Sequence, residues 1–251
     1  MKQIIAITNQ KGGVGKSTTA QALGAGFLQE GYRVLFVDMD AQGNLSYTLG
    51  HDGGGYTILE VLSKQVQADQ AIQHTPGGDL IASTPSLSGA DILLDQTGKE
   101  YRLLEALKPI WDKYDYIILD TPPALGILTI NALTAATWAI IPAQADTYSL
   151  QGIAQLYGTI GAVRKYCNPT LIVRGILLTR HNTRTILSRD MAYMMGEAAK
   201  NIGTTLFNTT IRENVALKEA QVYRRDIFTY APKSNGATDY RAFIKELEAL
   251  P

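Results

Sequence analysis

Cysteine is nearly missing from this 251-residue chain, where Cys167 stands alone. A single thiol closes no disulfide and builds no cysteine-ligated metal centre within one chain, so a reducing cytoplasm is the expected setting. Net charge is missing too: Lys plus Arg and Asp plus Glu each total 23, which gives no global sign of a nucleic-acid binder. No apolar run reaches the roughly 18 residues that a spanning helix needs. The opening Met1-Lys2-Gln3 runs straight into Ile4-Ile5-Ala6-Ile7, leaving no room for a signal peptide. Internal repeats and low-complexity segments are likewise missing.

What is present is a 45% hydrophobic composition, enough at this length for one large α/β domain over residues 1–251. Charge is unevenly spread. Residues 1–159 carry 9 basic and 15 acidic side chains, and residues 160–251 carry 14 basic and 8 acidic. An anionic partner would therefore favour the C-terminal part.

Short apolar runs alternate with segments of helical length, the pattern of βαβ units. Strands are predicted at Gln3 to Thr8, Arg33 to Asp38, Leu80 to Thr84, Tyr116 to Asp120, Trp138 to Pro142, Ile172 to Thr179 and Thr204 to Asn208. Helices are predicted over Lys16 to Glu30, Tyr101 to Lys113, Ser149 to Tyr166, Ile186 to Asn201 and Tyr240 to Leu250. Unbroken apolar strands imply helices on both faces of a doubly wound, mostly parallel sheet. In such a sheet ligands sit beyond the carboxyl ends of the strands, which directs attention to Asn9 to Thr18, Asp38 to Asn44 and Asp120 to Pro123.

The first of these is a glycine-rich turn between a strand and a helix, Lys11-Gly12-Gly13-Val14-Gly15-Lys16-Ser17-Thr18. Backbone N–H groups at a helix N-terminus converge on phosphate oxygens. Lys16 would supply charge to the β and γ phosphates, and the Ser17 hydroxyl stands where such loops hold Mg²⁺. The ordinary G-x-x-x-x-G-K-[ST] pattern is broken, because Gln10 occupies its first glycine position, and a second lysine, Lys11, lies five residues before Lys16. The segment ITNQKGGVGKSTTA resembles the deviant Walker A motif of the ParA/MinD family of P-loop ATPases. The resemblance implies ATP and Mg²⁺ as ligands, Lys11 reaching a partner protomer's nucleotide, and an ATP-dependent homodimer.

Two carboxylate segments follow. Asp38-Met39-Asp40-Ala41-Gln42-Gly43-Asn44 resembles the family's D-x-D-P-Q-G-N segment with Ala41 in place of proline, so Asp40 matches the residue that orients the attacking water. An acidic group just past a strand end and beside a phosphate loop suits that task, although both aspartates could also cap the following segment. Tyr116-Ile117-Ile118-Leu119-Asp120 has the form of a Walker B strand, in which Asp120 would hold Mg²⁺ through water. The similarity continues through Thr121-Pro122-Pro123, Leu128 to Leu133, Ile141-Pro142 and Ser149 to Gly152, and so covers essentially the whole chain. Ile211 to Val215 matches the segment that passes beside the adenine, placing Asn214 there, although these residues could equally start a helix.

Between Arg174 and Lys233 lie ten basic and five acidic residues, Arg180 and Arg184 among them. Such density is compatible with a face that tracks phosphates. By resemblance Arg184 aligns with a DNA-touching arginine, while a second such arginine falls on Ala216, leaving Arg212 or Lys218 as possible substitutes. No base-reading element is evident, and the first strand leaves no space for a helix-turn-helix domain. The expectation is a cytoplasmic, nucleoid-associated DNA-partitioning ATPase, stimulated by a ParB-type centromere-binding partner and bound to DNA nonspecifically rather than to a membrane. A MinD-like membrane-positioning ATPase, an ATP-dependent synthetase and a binding module that keeps ATP unhydrolysed are the alternatives.

Overall fold

A computed structural model describes residues 2–94, 96–182 and 186–250. The strands are β1 Gln3–Ile7, β2 Val34–Asp38, β3 Ile72–Thr75, β4 Gly78–Ile81, β5 Tyr116–Asp120, β6 Trp138–Ala143, β7 Ile172–His181 and β8 Ile211–Arg212. The helices of the N-terminal half are α1 Lys16–Gln29, α2 Asn44–Thr48, α3 Ile58–Leu62, α4 Ala90–Leu93, α5 Arg102–Leu107 and α6 Ile127–Ala135. Those of the C-terminal half are α7 Thr147–Tyr166, α8 Ile186–Asn201, α9 Val215–Val222, α10 Ile227–Tyr230 and α11 Asn235–Glu248.

The eight strands form one sheet in the order β3-β4-β2-β5-β1-β6-β7-β8, parallel except for the β3–β4 hairpin. Side chains alternate across the pleat, so each strand feeds two cores. Ile4 and Ala6 join Leu35, Val37, Ile117 and Leu119 under α3, α5, α6 and α7. Ile5 and Ile7 join Phe36, Ile118 and Leu177 under α1 and α11, where Leu23, Phe27, Tyr240 and Phe243 are buried. Gly24 belongs to this packing, because a Cβ there would stand 2.2 Å from the Phe36 ring. These two covered faces are the doubly wound sheet that the apolar runs predict.

Several elements depart from the sequence expectations. Thr204 to Asn208 forms no strand, only an isolated bridge between Leu206 and Ile176. Thr204, Thr205 and Phe207 give that segment β character, but its pairing is cut short and the edge strand forms later, at Ile211–Arg212. The helix expected over Tyr101 to Lys113 stops at Leu107, just before Pro109, whose ring cannot continue an α-helix, and resumes as one 3₁₀ turn at Trp111–Lys113. Helix α6 and strand β3 have no predicted counterpart, whereas the strand predicted at Leu80 to Thr84 forms two residues earlier, as β4 Gly78–Ile81. The helix is apolar nearly all round, so it shows no helical periodicity, and β3 is a short edge element.

Candidate functional site

Strand β1 lies between β5 and β6, and its chain neighbour β2 lies beyond β5, so the sheet order changes direction at β1. A cleft of about 730 Å³ opens there, beyond the carboxyl ends of the strands. It is lined by Gly12, Gly13, Gly15, Lys16, Ser17 and Thr18 on one side, and by Arg212, Asn214, Leu217 and Gln221 on another.

The glycine loop leaves β1 and enters α1 with Gly15 as the N-cap. Gly15 has φ 87° and Gly13 has φ 74°, a left-handed conformation that side-chain-bearing residues adopt only under strain. The front of the loop is tied to β6 and α7. Asn9 Nδ2 donates to the Pro142 carbonyl at 2.7 Å and Gln10 Nε2 to Gln155 Oε1 at 2.7 Å. This explains Gln10 in the position where an ordinary phosphate loop carries glycine: its side chain anchors the loop to α7.

The two lysines are separated by these ties. Lys16 is buried, and its Nζ donates back to the Lys11 carbonyl at 3.1 Å. Desolvation lowers its pKa, against the opposing pull of Asp120 and Asp40. Lys11 points the other way, with Nζ at 2.6 Å from Asp146 Oδ2 and 3.4 Å from Ser149 Oγ. Asp146 is the N-cap of α7 and accepts the Ser149 N–H. Partial burial pushes Asp146 up, but Lys11 and Ser149 outweigh it and hold the carboxyl below its ordinary range. Sequence reasoning missed Asp146, although Asp-x-x-Ser ahead of a helical run is an N-cap signal.

Parallel register places Asp38 of β2 directly beside Asp120 of β5, and Asp120 beside Ile7 of β1 at the root of the loop. Asp38 is fully enclosed and accepts the Asp40 N–H at 3.0 Å, the Ser46 N–H at 2.8 Å and the Ser46 hydroxyl at 2.7 Å. Its carboxyl, desolvated by burial, is pushed up to about 6. These contacts fix the entry of α2, so Asp38 organises the segment in which Asp40 sits. Asp40 is buried, lines the cleft and accepts the Gln42 N–H at 3.0 Å.

Asp120 tests whether the site suits a magnesium nucleotide. Both of its carboxylate oxygens are buried without a hydrogen-bond partner. Burial, then the neighbouring Asp38, raises its pKa well above the ordinary range, opposed by Ser17 and Lys16; Ser17 lies close enough to help but not in hydrogen-bond geometry. A buried carboxylate left unsatisfied is costly unless a cation or hydrated cation completes it. Among the described residues no cluster of three or more His, Cys, Asp or Glu side chains could hold a metal by itself. That matches Mg²⁺, which binds through one or two protein groups, water and phosphate oxygens. Ser17 and Asp120 are the residues that would hold it, so the donor set fits.

On the far lip, Asn214 both lines the cleft and caps α9, its Oδ1 accepting the Ala216 N–H at 2.9 Å. The two readings of this residue are therefore compatible. Thr18 is held by Gln221 Nε2 at 2.7 Å, so α9 lies over the first turn of α1. Arg212 and Lys218 line the same cleft rather than a separate basic face. Arg212 is fully engaged by Asp239, with Nη2 at 2.6 Å from Oδ1 and Nε at 3.0 Å from Oδ2, and Lys218 pairs with Glu213 at 3.5 Å. Arg184 lies outside the described residues.

Comparison with known proteins agrees with this geometry. Residues 2–173 match the AAA domain family. The chain is 41% identical over 254 residues to the sporulation initiation inhibitor protein Soj of Bacillus subtilis, covering 99% of both chains. It is 40% identical over 250 residues to the chromosome partitioning protein ParA of Myxococcus xanthus, covering 98% of this chain and 87% of that one. Among solved structures, a protein of Mycobacterium smegmatis named cobyrinic acid a,c-diamide synthase, with bound ADP and magnesium, superposes with a TM-score of 0.85. Its identity to this chain is 35%, over 98% of this chain and 93% of that one.

Proposed function

The chain belongs to the ParA/MinD-type family of P-loop ATPases, which makes it an ATPase using ATP and Mg²⁺, and on that premise we propose that it is a DNA-partitioning switch. The single observation that carries the reading is the second lysine. Lys11 precedes Gly12 of the cleft lining but does not line the cleft itself; its ammonium is held by Asp146 and stays partly exposed, available to a second protomer rather than to the phosphate site of its own chain. In this reading ATP joins two protomers, the dimer retains DNA without sequence preference, and hydrolysis releases it. A ParB-type partner accelerates the hydrolysis, and the protein works in the cytoplasm on the nucleoid. The names of the Soj and ParA relatives support it.

The residues divide the work as follows. Backbone N–H groups of Gly13, Val14, Gly15, Lys16, Ser17 and Thr18 cradle the phosphates, with Gly12 giving the loop its turn and Lys16 neutralising the charge that builds up between the β and γ phosphates. Magnesium, when bound through Ser17 and through water to Asp120, supplies charge stabilisation of the phosphates. Asp40 positions the attacking water, and Asp38 fixes the segment that carries it. Lys11, released from Asp146, acts across the dimer. Asn214 lies beside the adenine and keeps α9 capped. DNA contact falls to Arg184, while Arg212 is committed to Asp239 and serves the fold.

A membrane-bound reading draws no support from α11, whose apolar residues Phe243 and Leu247 are buried against the sheet rather than free for lipid. Among the described residues, no helix is long and apolar enough to cross a membrane. The name of the Mycobacterium smegmatis relative favours a second reading, an ATP-dependent synthase. The two are separated by DNA retention at low salt with ATP, using the parent, Asp40→Ala and Arg184→Glu. We expect ATP-dependent retention by the parent, prolonged retention by Asp40→Ala and loss in Arg184→Glu. No retention by the parent, together with parent-like behaviour of Asp40→Ala, would overturn the partition reading.

A further inference from the structure

Once the loop, the carboxylates and Asn214 are assigned, one guanidinium in the cleft has no role. Strands β7 and β8 pair as Thr179↔Ile211 and then His181↔Arg212, so the register slips by one residue and Arg180 is the extra one. Arg180 has φ 50°, in the left-handed region that a side-chain-bearing residue enters only under strain. Bulges of this kind bend a strand and re-aim a side chain, and they are frequent beside active sites. The preceding Thr179 turns its hydroxyl onto the Val14 carbonyl at 2.8 Å, and regular alternation would send the next side chain to the opposite face. Arg180 instead lines the cleft beside Gly13 and Lys16.

Its present partners are weak. Nη1 stands 3.5 Å from the Gly13 carbonyl and Nη2 stands 3.9 Å from Glu213 Oε1, both longer than the roughly 2.7–2.9 Å of a well-made charge-assisted bond. Arg212, by contrast, is clamped by Asp239 at 2.6 Å. Releasing Arg180 would orphan neither group: the Gly13 carbonyl also accepts from Gln144 Nε2 at 3.2 Å, and Glu213 also pairs with Lys218.

We propose that Arg180 is a nucleotide-binding residue whose guanidinium exchanges Gly13 and Glu213 for the phosphate chain of bound ATP or ADP. The bulge is the device that brings it there, and Glu213 competes for it with the incoming anion. The inference rests on nucleotide binding alone and not on the partition reading.

The test is equilibrium binding of fluorescent ATP and ADP, with Mg²⁺, to the full chain as parent, Arg180→Lys and Arg180→Asn. Asparagine tolerates the left-handed backbone, and thermal melting confirms that each variant is folded. Arg180→Asn should weaken both nucleotides roughly ten- to a hundredfold, the loss of one charged hydrogen-bonding partner, with Arg180→Lys in between. Glu213→Gln should tighten binding more in the parent than in the Arg180→Asn background, the difference being the part of its effect that acts through Arg180. Nucleotide affinities of Arg180→Asn equal to the parent's overturn the proposal. So does loss of ATP-dependent DNA retention at unchanged nucleotide affinity, which would make Arg180 a DNA contact. If the parent retains no DNA, the partition reading falls while the nucleotide measurement still decides this one.

Discussion

On the N-terminal side of the cleft, Lys16, Asp38, Asp40 and Asp120 are all less than a tenth exposed; strand register sets Asp38 beside Asp120, and hydrogen bonds of 2.7 to 3.0 Å fix Asp38 to the segment that carries Asp40. On the C-terminal side, the side chains of Arg180, Glu213 and Lys218 are 45%, 62% and 59% exposed, and their ion pairs run from 3.5 to 3.9 Å. The first side concentrates three carboxylates and a lysine in a dry pocket, where their interactions are strong and their geometry is fixed before ligand arrives. The second side is wet, weakly paired and able to re-form around a ligand. In the function proposed above, chemistry that tolerates little misplacement falls to the rigid lip, and recognition falls to the adaptable one.

The sharpest way to break this contrast is Lys16→Ala, which removes the cation of the dry side. Turnover should fall on the order of a thousandfold, the cost of deleting a pre-organised electrostatic group. Steady-state phosphate release measures it, and a variant within tenfold of the parent would show that the buried side is not the reacting one.

Next in size is a pH effect on the same side. The Asp38 carboxyl is pushed up to about 6 by burial, above its ordinary 3.8, so the folded chain holds that proton more tightly than the unfolded chain. The cost of keeping it ionised, about 3 kcal/mol, is fully present above pH 6. Acidification through about pH 6 removes that cost progressively. Thermal melting of metal-free protein should therefore show stability rising as pH falls from 7.5 toward 5, whereas a flat or falling profile would sink the argument.

Smallest are the effects on the wet side, and they sharpen the comparison within it. Arg212→Ala strips a nearly buried Asp239 of a bidentate partner and should cost about 2 kcal/mol in denaturant unfolding. Lys218→Ala loses one exposed, long ion pair and should cost no more than about 0.5 kcal/mol. Equal costs would mean that exposure does not divide the two.

Much of the dry side was legible in the sequence because its signals are local. A glycine turn between strand and helix, a hydroxyl after a lysine and carboxylates at the ends of apolar strands each follow from chain neighbours. The wet side was less legible. Arg180 is one arginine among many until the β7–β8 register slips at its position, and Arg212 looks like a phosphate contact until Asp239, on α11, folds back to it. Lys11 was conspicuous, but its partner Asp146 lies far along the chain at the head of α7. The Thr204 to Asn208 segment shows the same limit, since β character cannot say whether a partner strand lies in register.

By itself, then, the sequence determined the alternation of strands and helices, the doubly wound class, the broken phosphate loop with its extra lysine, and the family. Those rest on periodicity and on residues close enough along the chain to act together. Only the tertiary structure decided that Asp38 and Asp120 share one dry pocket, that Gln10 ties the loop to α7, and that a bulge turns Arg180 into the cleft. Register and burial arise between segments distant in the chain, and they set both the pKa of a buried carboxylate and the direction in which a guanidinium points.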